Sequence, residues 1–576
     1  MQKRIVRRAH VDDRHLPNDL HPLLRQIYAS RGIAHSDELI LKLNQLLSVD
    51  SMAGLEKSCQ LLHQALVNNE AICIVGDFDA DGATSTALMM EGLRLLGFTR
   101  VSFLVPNRFD YGYGLTPEIV DIAQQQGAQV IITVDNGISC IEGVNRAKAH
   151  NITVIVTDHH LPGEVLPEAD AIVNPNQPSC GFVSKSIAGV GVAFYLMMAL
   201  RKYFREQNVF QLQQLPEPNL GQLLDLVALG TVADVVALDA NNRILVEQGL
   251  KRIRAGATRP GIQALIEVAK KHQSQLMASD FGFALGPRIN AAGRLDDMSF
   301  GINCLLATDL SQARMMAMEL DGLNKSRREI EQGMQQQAEL IMDKLAISDE
   351  SSLPYGISLY QPDWHQGVIG IVAGRIKEKF HRPSIVFAKS DNEPELIKGS
   401  ARSIPGLHIR DLLEHIHSQH PQLIVKFGGH AMAAGLTIAE HDFDQFNAIF
   451  DTTVNKLIDP QYLHGEILSD GELPLDLMTI DFAEQLQQAG PWGQQFNEPI
   501  FDNSFEVIQQ RIVGEKHLKL VLGKDDQVYD AIAFNVDTQC WPNSNTDMVH
   551  VAFKLDINEF RGKRTLQLMV EHLIAM

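Results

Sequence analysis

Residues 71–84 read AICIVGDFDADGAT, and how this stretch folds decides the architecture around it. A short apolar run suited to a buried strand ends in three alternate aspartates, Asp77, Asp79 and Asp81. The next stretch, TSTALMMEGLRLLG (84–97), reads as a helix. Like charges this close are costly unless something positive sits among them. The pattern then repeats with VSFLVP (101–106), QVIITVD (129–135), ITVIVTD (152–158) and AIVNP (171–175), separated by helical stretches near 117–126 and 140–149. Continuous apolar strands alternating with helices predict a parallel sheet buried on both faces. Three of the strands end in aspartate, at Asp77, Asp135 and Asp158. Ligands of open α/β sheets bind at the carboxyl ends of the strands, so these acids are expected on one edge.

At 576 residues the chain is too long for one ordinary core, which predicts two to four domains. Residues 187–255 read as helical, and the proline-free stretch 308–345 as one or two linking helices. A second α/β pattern follows, GISLYQPD, then GVIGIVAGRIKEKF, then SIVFAK, with two glycine-rich turns expected at IKGSARS (397–403) and FGGHAMAAG (427–435). From about 465 the period changes to two, in HLKLVL, AIAFNV, VHVAFKLDI and TLQLMVEHL, which predicts a small all-β barrel.

Composition narrows the class. Apolar residues at 45% and charged residues at 21% describe a globular protein rather than a disordered one. No apolar run reaches the roughly 18 residues of a membrane span. The basic start MQKRIVRRAH leads into polar sequence, unlike a signal peptide. Six scattered cysteines without a CxxC pair argue against a disulfide framework or cysteine zinc site and fit a reducing cytoplasm. A net charge of −20 disfavours broad duplex binding but leaves room for a local basic channel.

Four places put hard ligands at strand ends or helix turns: DFDAD (77–81), VDNG (134–137), TDHH (157–160) and TVADV (231–235). Carboxylates with imidazole suit Mn²⁺ or Mg²⁺, and two such ions are the usual apparatus for phosphate-ester hydrolysis. Any one motif alone is as well explained by a turn or a helix cap. Their conjunction on one sheet edge is what points to metal.

In this order and at these intervals, DFDADG, VDNG, TDHH and TVAD resemble the motifs of the DHH phosphoesterase superfamily, and RINAAGR (288–294), GSARS (399–403), FGGH (427–430) and the β module extend the resemblance over nearly the whole chain. The likeness is to its single-strand-specific 5′→3′ DNA exonucleases. It implies a parallel-sheet DHH domain (51–305) behind an N-terminal helical extension (1–50), a linking helix (306–348), a smaller α/β DHH-associated domain (349–460) and an OB-like barrel (461–576). It further implies Asp77, Asp79, Asp81, Asp135, His159 and Asp234 as ligands of two Mn²⁺ or Mg²⁺ ions, with Asp135 the bridge. His160 and His430 join Asp135 in catalysis, His430 across an interdomain cleft. Where many members carry a histidine, this chain has Val75, so that either one ion is held less tightly or Asp77 takes over that role. Arg108, Asn290, Arg294, Ser400, Arg402, Gly428 and Gly429 are implied at the substrate, where Arg forks and glycine N–H groups suit phosphate. Lys516, His517, Lys519, Arg561, Lys563 and Arg564 are candidate strand contacts, although residues 505–576 carry 8 Lys and Arg against 10 Asp and Glu.

The expected activity is release of 5′-mononucleotides from single-stranded DNA in repair and recombination, by a cytoplasmic monomer working with single-strand-binding protein and a helicase. The rivals are a pyrophosphatase or small-nucleotide phosphodiesterase of the same superfamily, and a non-catalytic single-strand-binding scaffold.

Overall fold

A computed structural model describes residues 3–107, 113–345, 353–391, 393–538 and 540–576. The expected substrate contact Arg108 and the junction 346–352 lie outside the described residues. The chain forms two compact units. One comprises His10–Asn324 and Leu486–Glu498, the other Met1–Ala9, Lys325–Gln485 and Pro499–Met576.

The first unit is built on a five-stranded, all-parallel sheet in the spatial order Val101–Leu104, Ile72–Val75, Val130–Val134, Thr153–Thr157, Ala171–Val173. The apolar strands that alternate with helices in the sequence are these five. Ile72–Val75 and Val130–Val134 are buried at every residue because helices cover both faces. In sequence terms the order is 2-1-3-4-5, so the crossovers reverse direction between Ile72–Val75 and Val130–Val134. At such a switch point the connecting loops diverge and leave a crevice at the carboxyl ends of the strands. Asn136 spans it, donating from Nδ2 to the carbonyls of Val75 (3.0 Å) and Val134 (2.9 Å).

Two helices flank the crevice. Ala80–Leu95 follows the aspartate-rich loop and is buried around nearly its whole circumference, which is why its sequence shows no polar face. Leu224–Ala233 is likewise almost wholly apolar. Arg259 locks the pair together. Its guanidinium lies 2.9 Å from Glu91 on the first helix and 2.9 Å from the buried Asp225 on the second. The stretch expected to link the domains is a single helix, Leu310–Leu345, whose 36 residues make it about 54 Å long. Its residues through Asn324 belong to the first unit and those from Lys325 to the second.

The second unit contains a mixed sheet ordered Lys426–Gly429, Ala433–Ala439, Leu396–Arg402, Ser384–Lys389, Ile357–Tyr360, and a closed five-stranded barrel, Phe501–Val513, His517–Lys524, Gln527–Ala533, Lys563–Ala575, Met548–Phe560. Antiparallel hairpins and one parallel pairing between Gln527–Ala533 and Lys563–Ala575 give the barrel its OB topology.

Four expectations are corrected. GSARS is no glycine-rich turn but part of the central strand Leu396–Arg402. Gly399 is required there because a Cβ would come within 2.5 Å of the Phe387 ring. FGGHAMAAG is a hairpin whose first strand is Lys426–Gly429. The first fifty residues are not simply helical, since Arg4–Arg7 is a strand paired in parallel with Glu466–Ser469, and Arg7 holds the buried Asp502 at 2.7 Å. Residues 486–498, expected within the barrel domain, belong to the first unit, where Trp492 and Phe496 stack with Tyr28.

All six cysteines are free thiols. Among the described residues, no helix is long and apolar enough to cross a membrane. Replacing Arg259 with Met would leave the Asp225 carboxylate buried without its counter-charge. The cost expected in urea unfolding is about 3–5 kcal/mol.

Candidate metal centre

The site assembles at the switch point. Asp79 is the N-cap of the helix Ala80–Leu95 and accepts from Gly82 N–H at 2.9 Å. Two residues further in, Asp81 projects toward the N-terminus of another helix, Gly189–Glu206. It accepts from the N–H groups of Gly189 (2.6 Å) and Val190 (2.9 Å), where the helix dipole favours a negative charge. Gly82 therefore serves a close approach rather than a turn: it lies inside the helix, and a Cβ there would come within 2.5 Å of the Asp77 carbonyl.

Asp135 follows the strand Val130–Val134 in the left-handed conformation, φ 62°, a strained geometry for a non-glycine residue. Gly189 makes room for it, since a Cβ there would sit 2.8 Å from Asp135 Oδ1. Asp234 caps the carboxyl end of Leu224–Ala233 and is followed by Val235, also left-handed at φ 62°.

These elements converge on one imidazole. Nε2 of His159 lies 3.1 Å from Asp135 Oδ1, 3.5 Å from Asp234 Oδ2 and 4.0 Å from Asp81 Oδ2. Asp77, Asp79 and Asp135 form a second group whose ligand atoms all lie within 4.8 Å of one another, and Asp81, His159 and Asp234 satisfy the same limit. Asp135 and His159 also group with His160. Val75 is fully buried in the sheet core, while Asp77 is drawn into the carboxylate group, its Oδ1 accepting from Phe78 N–H at 2.7 Å.

The electrostatics suit a cation. Burial, and then the charges of Asp234 and Asp79, push the Asp81 carboxyl well above its ordinary range. Burial, Asp81 and Asp79 do the same to Asp135. Asp234 is pushed up to about 7 by burial and by Asp79. Asp135 Oδ1 and Asp234 Oδ2 are buried without a hydrogen-bond partner among the described residues. Hard, crowded oxygen ligands with one imidazole, two of the oxygens unsatisfied, fit a divalent ion of the Mn²⁺ or Mg²⁺ type.

The third strand-end acid does something else. The Asp158 carboxylate accepts from the N–H groups of Ile138 (2.9 Å), His159 (2.7 Å) and His160 (3.1 Å), and from His160 Nδ1 at 2.7 Å. Burial opposes the charge on Asp158, but the His160 contact outweighs it and holds the carboxyl below its ordinary value. Burial likewise opposes the charge on His160, and its bond to Asp158 overcomes this and raises it to about 9. The apolar patterning does not separate Asp158 from Asp135, because both end an apolar strand; only the family resemblance does. Gly189 was equally unmarked as a part of the site.

The remaining expected residues are distributed as follows. The side-chain oxygen of Asn290, expected at the substrate, is committed to Ala80 N–H at 2.7 Å and so holds the aspartate-bearing helix. Arg294 lies in the last turn of the same helix, Gly286–Leu295. Ser400, Arg402, Gly428, Gly429 and His430 belong to the second unit. Arg402 Nη1 donates to Ser400 Oγ (3.0 Å) and to the Ala401 carbonyl (2.8 Å). Burial lowers the pKa of its guanidinium, and no carboxylate pairs with it among the described residues. A Cβ on Gly370, in the first turn of the helix Ile369–Phe380, would come within 2.9 Å of Arg402 and 3.0 Å of Ser400. An uncompensated guanidinium and a hydroxyl at a helix N-terminus make an anion site. Gly428 faces open space on the edge strand, Gly429 takes φ 148°, and His430 is exposed in the hairpin turn.

In the barrel, Lys516 and Arg561–Arg564 lie in or beside the first and last interstrand loops, and His517 and Lys519 on the second strand, the face OB-folds use for ligands. Two of these cations are engaged elsewhere: Lys519 pairs with Asp530 (3.5 Å) and Arg564 with Glu484 (2.6 Å).

The switch-point sheet and its acid cluster define a DHH-type phosphoesterase. The chain matches the DHH family, N-terminal domain over residues 71–231, the DHHA1 domain over 353–456 and the RecJ OB domain over 469–572. It is 55% identical over 575 residues to the single-stranded-DNA-specific exonuclease RecJ of Salmonella typhimurium, covering 99% of both chains. Identity to the Escherichia coli exonuclease of the same name is 54% over 571 residues, covering 99% of this chain and 98% of that one. The crystal structure of RecJ in complex with Mn²⁺ from Thermus thermophilus superposes with a TM-score of 0.78 at 29% identity, covering 97% of this chain and 76% of that chain. The chain belongs to the RecJ family.

The raised carboxyls make a prediction about the ion-free chain. An acid whose pKa rises on folding stabilises the fold at low pH and loses that contribution as pH climbs through its folded value, which for Asp234 is about 7. The ion-free melting temperature should fall as pH rises from about 4 to about 7, between the unfolded and folded values of Asp234. Asp135→Asn, which removes one charge from the cluster, should raise it at the upper end and flatten the profile, as read by differential scanning calorimetry.

Proposed function

We propose that this chain is a single-stranded-DNA-specific 5′→3′ exonuclease that hydrolyses phosphodiesters and releases 5′-mononucleotides, using two Mn²⁺ or Mg²⁺ ions. The observation that carries the reading is the convergence of Asp81, Asp135 and Asp234 on His159, in a chain aligned from end to end with exonucleases of that name.

Asp77, Asp79, Asp81, Asp135, His159 and Asp234 would hold the ions, with Asp135 shared because it groups with Asp77 and Asp79 on one side and with His159 on the other. The ions supply positive charge at the scissile phosphate and at the leaving oxygen. His160, its ring held through Nδ1 by Asp158, has Nε2 left to donate a proton near the phosphate. Asn290 acts by fixing the helix that carries Asp79 and Asp81. Arg402 and Ser400 bind the 5′-terminal phosphate, which sets the register so that one nucleotide leaves per cut. Arg294, Gly428 and Gly429 contribute further phosphate contacts, and His430 acts in catalysis. The barrel holds the strand through Lys516, His517, Arg561 and Lys563, and the aromatic faces of Phe534 and Phe560, both exposed, suit base stacking. This reading implies a cytoplasmic monomer acting in DNA repair and recombination alongside single-strand-binding protein and a helicase.

The decisive comparison supplies Mn²⁺ or Mg²⁺ and offers 5′-labelled single-stranded DNA, blunt duplex, RNA and pyrophosphate. Only the single strand should be degraded quickly. Rapid hydrolysis of pyrophosphate with inert DNA would instead identify a small-substrate phosphatase. Asp135→Ala should abolish cleavage while leaving strand binding in a filter assay within about threefold, whereas a scaffold would bind without cutting even as wild type. Arg402→Ala should raise KM for 5′-phosphorylated ends at least about tenfold, the share of a charge-assisted contact, with little change for 5′-hydroxyl ends.

A further inference from the structure

The two histidines of the third motif lie in no helix or strand, yet their backbone is fully engaged. On the N–H side, both amides donate to Asp158, at 2.7 and 3.1 Å. On the carbonyl side, two asparagines from the end of the last sheet strand reach back. Asn176 Nδ2 donates to the His159 carbonyl at 2.6 Å, and Asn174 Nδ2 donates to the His160 carbonyl at 2.9 Å. Four backbone polar groups that would elsewhere be satisfied by secondary structure are satisfied here by three side chains.

The asparagines are themselves held. Asn174 is fully buried, and its Oδ1 accepts from Asn176 N–H at 2.8 Å, a local turn that fixes one asparagine relative to the other. Asn176 also donates to the Lys185 carbonyl at 3.2 Å. Lys185 in turn ties down the intervening loop, its Nζ donating to the carbonyls of Pro175 (2.6 Å) and Cys180 (2.9 Å). A lysine used as a loop clamp, with two carbonyls for partners and no carboxylate among the described residues, rigidifies the segment from which Asn176 reaches His159.

From this geometry we infer that Asn174 and Asn176 are positioning residues for the metal centre: they fix the backbone of His159 and His160 so that the His159 imidazole stays aimed among Asp81, Asp135 and Asp234. The inference rests on the two-ion reading above. Its physical basis is that His159 sits on an irregular segment, so nothing in a helical or sheet ladder sets its Cα–Cβ direction. Without the carbonyl anchors the dipeptide would be held from its amide side alone, by Asp158. Groups that orient a ligating histidine typically account for ten- to hundredfold in metal affinity.

The test is titration of the ion-free full chain with Mn²⁺, followed by calorimetry or electron paramagnetic resonance, for the wild type, Asn176→Asp and Asn176→Ala. Asn176→Asp keeps the side-chain shape but removes the donor, and Asn176 is only half-buried, so both variants should fold. Expected are a ten- to hundredfold weaker Mn²⁺ affinity, a lower kcat at subsaturating Mn²⁺ with KM for the strand unchanged, and an ion-free melting temperature within about 4 °C of wild type. In a His159→Ala background, Asn176→Asp should no longer change Mn²⁺ affinity, the non-additivity expected of a residue that acts through another. Variants that bind Mn²⁺ like wild type, or an effect that persists undiminished without His159, would overturn the inference and leave the two-ion reading intact. A wild-type chain that binds no Mn²⁺ would overturn both.

Discussion

Carboxylates crowded around a single imidazole at one edge of a sheet repel one another, and much of the first unit is arranged around that cost. Asp81 offsets it by accepting two N–H bonds at a helix N-terminus. Asp135 is accommodated because Gly189 has no side chain. Gly230, on the helix that ends at Asp234, leaves space for Thr84 and Asp81, which a Cβ would meet at 2.2 and 3.0 Å. Arg259 binds the helices bearing Asp79, Asp81 and Asp234 from the far side with its buried guanidinium.

Backbone strain gathers at the same place. Asp135 and Val235 both take positive φ, and Val235 is β-branched, for which that conformation is especially unfavourable. Strain of this kind persists where surrounding contacts over-determine it. Asn136 supplies such contacts beside Asp135 by bonding the ends of two neighbouring strands, and the Tyr113 hydroxyl adds another by donating to the Asp135 carbonyl at 3.1 Å. The acid cluster is thereby pre-set by the fold.

The sequence was most legible where burial imposes a simple period. The five parallel strands, the long helix Leu310–Leu345 and the alternating strands of the barrel all follow from apolar patterning. It misled where glycine has two meanings. In GSARS the glycine serves close packing against Phe387 within a central strand, not a turn. The strand Arg4–Arg7 and the segment Leu486–Glu498 were illegible for a different reason: each is placed by partners hundreds of residues away, Arg7 by Asp502 and Trp492 by Tyr28.

Acids at the ends of apolar strands, imidazoles beside them and a parallel sheet to align them are properties of the chain read in order. They were enough to indicate a divalent-metal phosphoesterase. The strand pattern alone does not separate these acids, and their surroundings differ only in three dimensions. Asp135 and Asp158 occupy equivalent positions in the sequence pattern, yet Asp135 turns left-handed toward His159, while Asp158 is surrounded by three backbone N–H groups and the His160 ring. A carboxylate's role depends on how many donors surround it. Those donors come from segments that only the tertiary fold brings together.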